Sequence, residues 1–146
     1  MAEQNFSNHA RYVPMFHGVL FGLRVIAFLG ALYQAYKVFI SHSAEGKTVA
    51  ALLVIMTFAA ILQFFFSRIF PLKAQDRAIR AEENLRAFAM SGKLLDPRLT
   101  VGQIIALRFA SDGEFLALAN EAAAKGTAPK DIKQSIKNWR ADNYRV

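Results

Sequence analysis

Two apolar stretches, 13–40 and 49–70, flank a short polar link at 41–48, and from residue 71 onward the pattern turns amphipathic. Residues 49–70 carry no charge before Arg68. At about 1.5 Å of rise per residue, that length covers roughly the 30 Å hydrocarbon core of a bilayer. Pro71 follows directly and is expected to end the helix. The first stretch has its apolar centre from about Gly18 to Tyr36, with Arg24 inside it. Helices apolar all round have no aqueous face, and the rest of a 146-residue chain is too polar to wrap two of them. The pattern therefore predicts an all-α chain in three parts. These are an N-terminal segment 1–12, a transmembrane helical hairpin 13–70 with its outer link 41–48, and a small cytoplasmic helical domain 71–146.

Within the first span Arg24 needs an explanation, because a cation near mid-bilayer costs about 2.5–3.5 kcal/mol on insertion scales. His17, Arg24, Ala27, Ala31 and Ala35 fall on one helical face, where small side chains admit a neighbouring helix. Thr57, Ala60, Gln63 and Ser67 make a comparable stripe on the second span. In an antiparallel hairpin Gln63 lies near the depth that the Arg24 head reaches. The expected contact is thus Arg24 to Gln63 or to a group on another subunit, with a lipid phosphate as the alternative. Gly18 and Gly22 form a GxxxG pair on another side of the helix, a possible face for self-association or partner binding.

Beyond Pro71, residues 72–91 read as an amphipathic helix with Ala78, Ala81, Leu85, Phe88 and Ala89 on its apolar side. Asp76 with Arg80 and Glu82 with Arg86 are acid-first i,i+4 pairs, and Gly92 is placed to cap the end. Thr100 and Gln103 form a capping box for a helix reaching about Phe109. Ser111 and Glu114 form another, for a helix ending at Gly126. A last helix is expected from Ala128 and Pro129 to about Asn143, apolar at Ile132, Ile136 and Trp139 and basic at Lys130, Lys133, Lys137 and Arg140. The predicted core is Leu85, Phe88, Ile104, Leu107, Phe109, Phe115, Leu118, Ile132, Ile136 and Trp139. It is small for a free-standing fold, so contact with the membrane or a partner is expected to complete it.

Charge then orients the hairpin. Arg11 precedes the first span, and Arg68, Lys73, Arg77, Arg80 and Arg86 sit at or beyond the end of the second. The link side offers only Lys37 and Lys47, with Glu45 nearby, so both termini are expected in the cytoplasm. Tyr12 and Phe16 suit the interface. A cleaved signal peptide ending near Ser43 is the rival reading, but its apolar region would carry Arg24, Gln34 and Lys37. The net charge of +7 fits anionic lipid headgroups and would also fit nucleic acid.

Candidate chemistry changes little. There is no cysteine, which removes disulfides, thiol catalysis and cysteine-held metals. His9 and His17 are eight apart, the wrong spacing for a two-histidine metal site on one helix, and His42 stands alone in the link. No metal site and no cofactor is predicted. Glu82 and Glu83 point to different sides of a helix, and Asp96, Asp112 and Glu114 occupy turn and cap positions. No phosphate loop, Ser-His-Asp set or zinc-helix motif occurs, so the expectation is not an enzyme. Ala122, Gly126 and Ile132 have the spacing of a helix-turn-helix, but Ser135 stands where an apolar residue belongs and Pro129 would head the reading helix. Nucleic acid is accordingly not the expected partner.

The ends of the chain carry a resemblance. Gln4, Asn5, Asn8, His9, Arg11, Tyr12, Pro14 and His17 resemble the opening of an uncharacterised family of small bacterial membrane proteins. Leu94 to Leu99, Ile104 to Phe109 with Asp112, and the run from Lys130 through Trp139, Arg140, Ala141 and Asp142 are similar to that family's cytoplasmic half. The resemblance implies a bacterial two-span protein with a helical tail and implies no activity. Asn8, His9 and Arg11, and separately Arg98, Arg108 and Asp112, are the candidates for a contact surface.

Together these readings predict a multi-pass protein of the bacterial inner membrane. It would be a non-enzymatic accessory or assembly subunit whose basic helical domain meets lipid or a partner protein. Its intramembrane contacts would be His17, Arg24 and Gln63, and its packing residues Gly18, Gly22, Ala27, Ala31, Ala35 and Ala60. The alternative is a homo-oligomer that binds a lipid-like ligand or forms a transport pathway.

Overall fold

The computed structural model describes residues 4–41 and 46–143, and every element there is helical. His42 and Glu45 of the link, with residues 1–3 and 144–146 at the ends, lie outside the described residues. The chain divides into two compact units, residues 12–70 and residues 1–11 with 71–146.

The first unit begins with a π-helical turn, Met15–Leu20, before α1, Phe21–Ile40. Pro14 heads the turn, where its missing N–H costs nothing, and the Val13 carbonyl accepts from both Phe16 (3.1 Å) and His17 (2.9 Å). The return element is α2, Lys47–Ser91. Its helical assignment continues through Pro71, contrary to the expected stop. A proline ring is compatible with helical φ and removes a single ladder bond, while good helix formers lie on both sides. Two helices, Met15–Ile40 with the π turn included and Lys47–Ser91, are long and apolar enough to cross a membrane. Ring contacts, not close backbone approach, join them: Phe16 on Phe64 at 4.4 Å, Phe21 on Phe64 at 5.3 Å, Phe28 on Phe58 at 5.9 Å.

The second unit is built from residues 71–91 of α2, then α3 (Val101–Leu107), α4 (Asp112–Lys125) and α5 (Pro129–Ser135). The Thr100 capping box forms in both directions, with the side chain accepting from Gln103 N and the Gln103 side chain accepting from Thr100 N. At Ser111 the hydroxyl makes no cap bond to the backbone, and it lies 3.4 Å from the Glu114 carboxylate. Gly126 closes α4 at φ +64°, a left-handed position that a side chain would strain. The core gathers around the fully buried Leu107, Phe109 and Phe115, with Ile104, Ile132, Ile136 and Ala87 beside them. Leu118 and Trp139 pack against it only partly buried.

Two expectations fail here for physical reasons. Leu85 and Phe88 are exposed, because α2 turns Ile79, Glu83 and Ala87 inward and its apolar side outward. The last helix stops at Ser135 rather than near Asn143. Beyond it the Glu114 carboxylate accepts from the backbone N–H groups of Lys137 (3.1 Å) and Asn138 (2.9 Å). Trp139 then bridges Ala110, and Arg140 N–H donates to Phe109 O at 2.7 Å, so the chain leaves the helix for an extended path.

Candidate interaction surface

In the hairpin, Arg24 lies in the apolar run of the helix Met15–Ile40, and the helix phase decides what it meets. Ala50, Val54, Thr57, Ile61 and Phe64 turn inward on α2 at alternating steps of four and three. Gln63 is one position off that row and is exposed, so Arg24 does not reach it. The guanidinium donates instead to the carbonyl oxygen of Ala60 and lies 5.6 Å from the Phe64 ring centroid. A backbone acceptor beside an aromatic face is a favourable setting for a charge removed from water. Ala31 is buried and Ala35 half-buried, but Ala27 is exposed because Phe28 takes the inward place. A Cβ on Gly22 would meet nothing within 4 Å, and one on Gly18 would meet the Tyr12 hydroxyl at 3.4 Å. The glycine pair therefore makes no close helix contact within the chain. His17 places Nδ1 3.0 Å from Val13 O and stacks on Tyr12 at 5.0 Å, a local arrangement at the π turn.

The tail unit holds a denser polar cluster. Glu83 is buried, and Arg86 donates to it at 3.0 Å, to Asp112 through two nitrogens at 2.6 and 2.8 Å, and to Ala110 O at 2.8 Å. The same guanidinium lies 4.2 Å from the Phe115 ring centroid. One arginine thus ties α2 to the start of α4 and to the loop before it. The Arg86 hydrogen bonds hold the Asp112 carboxyl below the usual carboxylate range. Arg140 approaches Glu83 at 3.8 Å, and Arg108 pairs with Asp142 at 3.1 Å. These groups line a cleft of about 430 Å³ with Ile79 and Glu82. The expected pairs Asp76 with Arg80 and Glu82 with Arg86 are not among the ion pairs of the described residues. Arg86 turns inward to Glu83 instead.

The N-terminal segment docks against this unit. Asn5 and Asn8 shape a turn through Asn5 N–H to Asn8 Oδ1 (2.7 Å) and Ser7 N–H to Asn5 Oδ1 (2.9 Å). His9 stands between Phe6, Phe109 and Trp139 at centroid distances of 5.7, 5.8 and 5.9 Å, and its Nε2 lies 3.2 Å from the Lys133 ammonium. The backbone N–H of Asp142 donates to the Gln4 side chain at 2.8 Å. A second cleft of about 400 Å³ opens between Gln4, Asn5, Lys137, Asn138 and Trp139.

The predicted contact residues are only partly brought together. His9 joins Lys133 and Asn8 shapes the turn before it, while Arg108 and Arg140 share the first cleft. Arg11, Lys130 and Lys137 are exposed. Arg98 is spent on its own turn: its side chain binds Asp96 at 2.7 Å and its backbone N–H donates to the same carboxylate at 2.9 Å. Those bonds pull the Asp96 carboxyl down to about 2. Arg98, Arg108 and Asp112 therefore serve three separate pairs. Sequence reasoning missed Glu83, Arg86 and Asp142 as the framework of the cluster. Only an acid on the inward phase of α2 could have pointed to it. The cluster joins α2, the start of α4 and the extended tail, and the Asp142 N–H to Gln4 bond adds the N-terminal segment to the same polar surface.

Across residues 1–146 the chain matches a family of unknown function (DUF6526), and it belongs to that family. No curated protein and no solved structure matches it.

Proposed function

We propose that this member of the family is an integral protein of the bacterial inner membrane whose hairpin, residues 13–70, spans the bilayer and carries the tail unit at the cytoplasmic face. It works without catalysis, as an accessory or assembly subunit of a larger membrane complex. The observation that carries the reading is the outside of the hairpin. Leu23, Ile26, Leu29, Ile55 and Met56 are each more than half exposed, and many more large apolar side chains accompany them. Full burial of such a side chain is worth about 1.5–3 kcal/mol, and the exposed part of each forgoes its share of that in water. A hydrocarbon surround removes the loss.

Orientation is supported by the excess of Lys and Arg at Arg11 and from Arg68 to Arg86 over Lys37 and Lys47. The accessory role is supported by the polar cluster and by the exposed cations Lys130 and Lys137, which suit an anionic headgroup or an acidic partner. Affinity purification from detergent-solubilised membranes tests the role. Distinct subunits in fixed proportion are expected beside this chain. Recovery of the chain with itself alone would contradict an accessory role and favour the ligand-binding or transport alternative. A reporter at either terminus should be active only in the cytoplasm.

A further inference from the structure

Residues 71–91 of α2 have two different faces. Ile79, Glu83 and Ala87 are buried in the tail unit, whereas Ala74, Ala78, Ala81, Leu85 and Phe88 are all exposed. Leu85 is 68% exposed and Phe88 52%. Steps of four, three, four and three residues make this second face a heptad seam, with Ala78 and Leu85 at a and Ala74, Ala81 and Phe88 at d. We propose that the seam pairs with the same seam of a second copy of this chain, parallel and in register. The proposal rests on the membrane reading above and not on the accessory role.

Flanking charges select both the occupant and its direction. The g positions are Phe70, Arg77 and Asn84, and the e positions are Gln75, Glu82 and Ala89. In a parallel pair each g position faces the e position of the following heptad on the partner. Arg77 of each copy then meets Glu82 of the other, and the two-fold axis makes the contact twice. In an antiparallel pair g faces g and e faces e, and no register of these residues sets opposite charges together. Arg77 and Glu82 take part in no ion pair within the chain among the described residues, so both are available.

Membrane topology fits the same occupant. Hairpins inserted with one orientation must run α2 alongside α2 in the same direction. Two heptads are short for a coiled coil in water, and confinement in one membrane supplies the effective concentration they lack.

The chain has no cysteine, so single-cysteine variants of the full-length protein report the seam directly. In washed membranes Leu85→Cys should give at least tenfold more oxidatively cross-linked dimer than Arg80→Cys, whose side chain is exposed on another side of the same helix. Arg77→Glu or Glu82→Arg in the Leu85→Cys background should weaken dimerisation about tenfold, and the double reversal should restore it. Residues five apart do not face each other on one helix, so restoration can only come from a pair between copies. Equal cross-linking at 85 and 80, no dimer, indifference to charge reversal, or cross-linking of Leu85→Cys to a different protein each overturns the pairing. Absence of the chain from washed membranes overturns the membrane reading itself, whereas a membrane-bound chain that fails to cross-link at 85 overturns the pairing alone.

Discussion

Arg86 shows how a single side chain can set the tail unit's architecture. It faces a buried carboxylate at Glu83, a carbonyl at Ala110, an exposed carboxylate at Asp112 and the Phe115 ring. Truncation to alanine leaves Glu83 buried near one distant cation, Arg140, so Arg86→Ala should cost about 3–5 kcal/mol. Arg86→Lys should recover only part of this, since an ammonium lacks the fork that reaches three acceptors at once. Denaturant unfolding followed by the fluorescence of the single tryptophan, Trp139, checks both. The pairs also fix a pH response. The Asp96 carboxyl is held at about 2 against an ordinary 3.8 by the Arg98 hydrogen bonds, and Asp112 is lowered by Arg86. A carboxyl depressed by folding contributes stability that is fully present above 3.8 and fades as pH falls toward the folded value. Unfolding midpoints should therefore drop between pH 4 and about 2, and Asp96→Asn should make that drop shallower. Arg24 and its need for a partner were legible in the sequence. Its actual acceptor, the Ala60 carbonyl, was not, because a backbone oxygen leaves no mark in residue identity.

Elements governed by local chemistry were the most legible. The Thr100 box, the Gly92 and Gly126 ends and Pro129 at the start of α5 all lie where nearby residues dictate them. Thr100→Ala should cost about 1 kcal/mol through the lost cap. Gly126→Ala should cost about 1–2 kcal/mol through left-handed strain, and thermal melts of the two variants provide the comparison. Elements governed by distant partners were not legible. The inward phase of 71–91 depends on Glu83 finding Arg86 and on Ala87 meeting a core assembled from α3 to α5. The apolar stripe by itself suggests the opposite phase, with Leu85 and Phe88 facing this chain's own core. The end of α5 depends on Glu114, more than 20 residues earlier, accepting from Lys137 and Asn138. The π turn at Met15–Leu20 likewise has no composition cue that separates it from an ordinary helical start.

At the scale of the molecule, one chain combines a unit whose outer surface is hydrocarbon with a unit that buries a core of its own. The first exposes large apolar side chains along both of its helices, and the second is held by Phe109, Phe115 and Leu107 together with the Arg86 cluster. Composition made the first property plain, since apolarity of that length needs no tertiary information to be recognised. It left the polar surface of the tail unit hidden, since that surface joins residues as far apart as Gln4 and Asp142. The most direct measurement is alkaline carbonate extraction of membranes from cells expressing the full-length chain. The protein is expected to stay with the pellet after the wash and to leave it only when detergent is added. Recovery of folded protein in the wash, without detergent, would contradict that expectation.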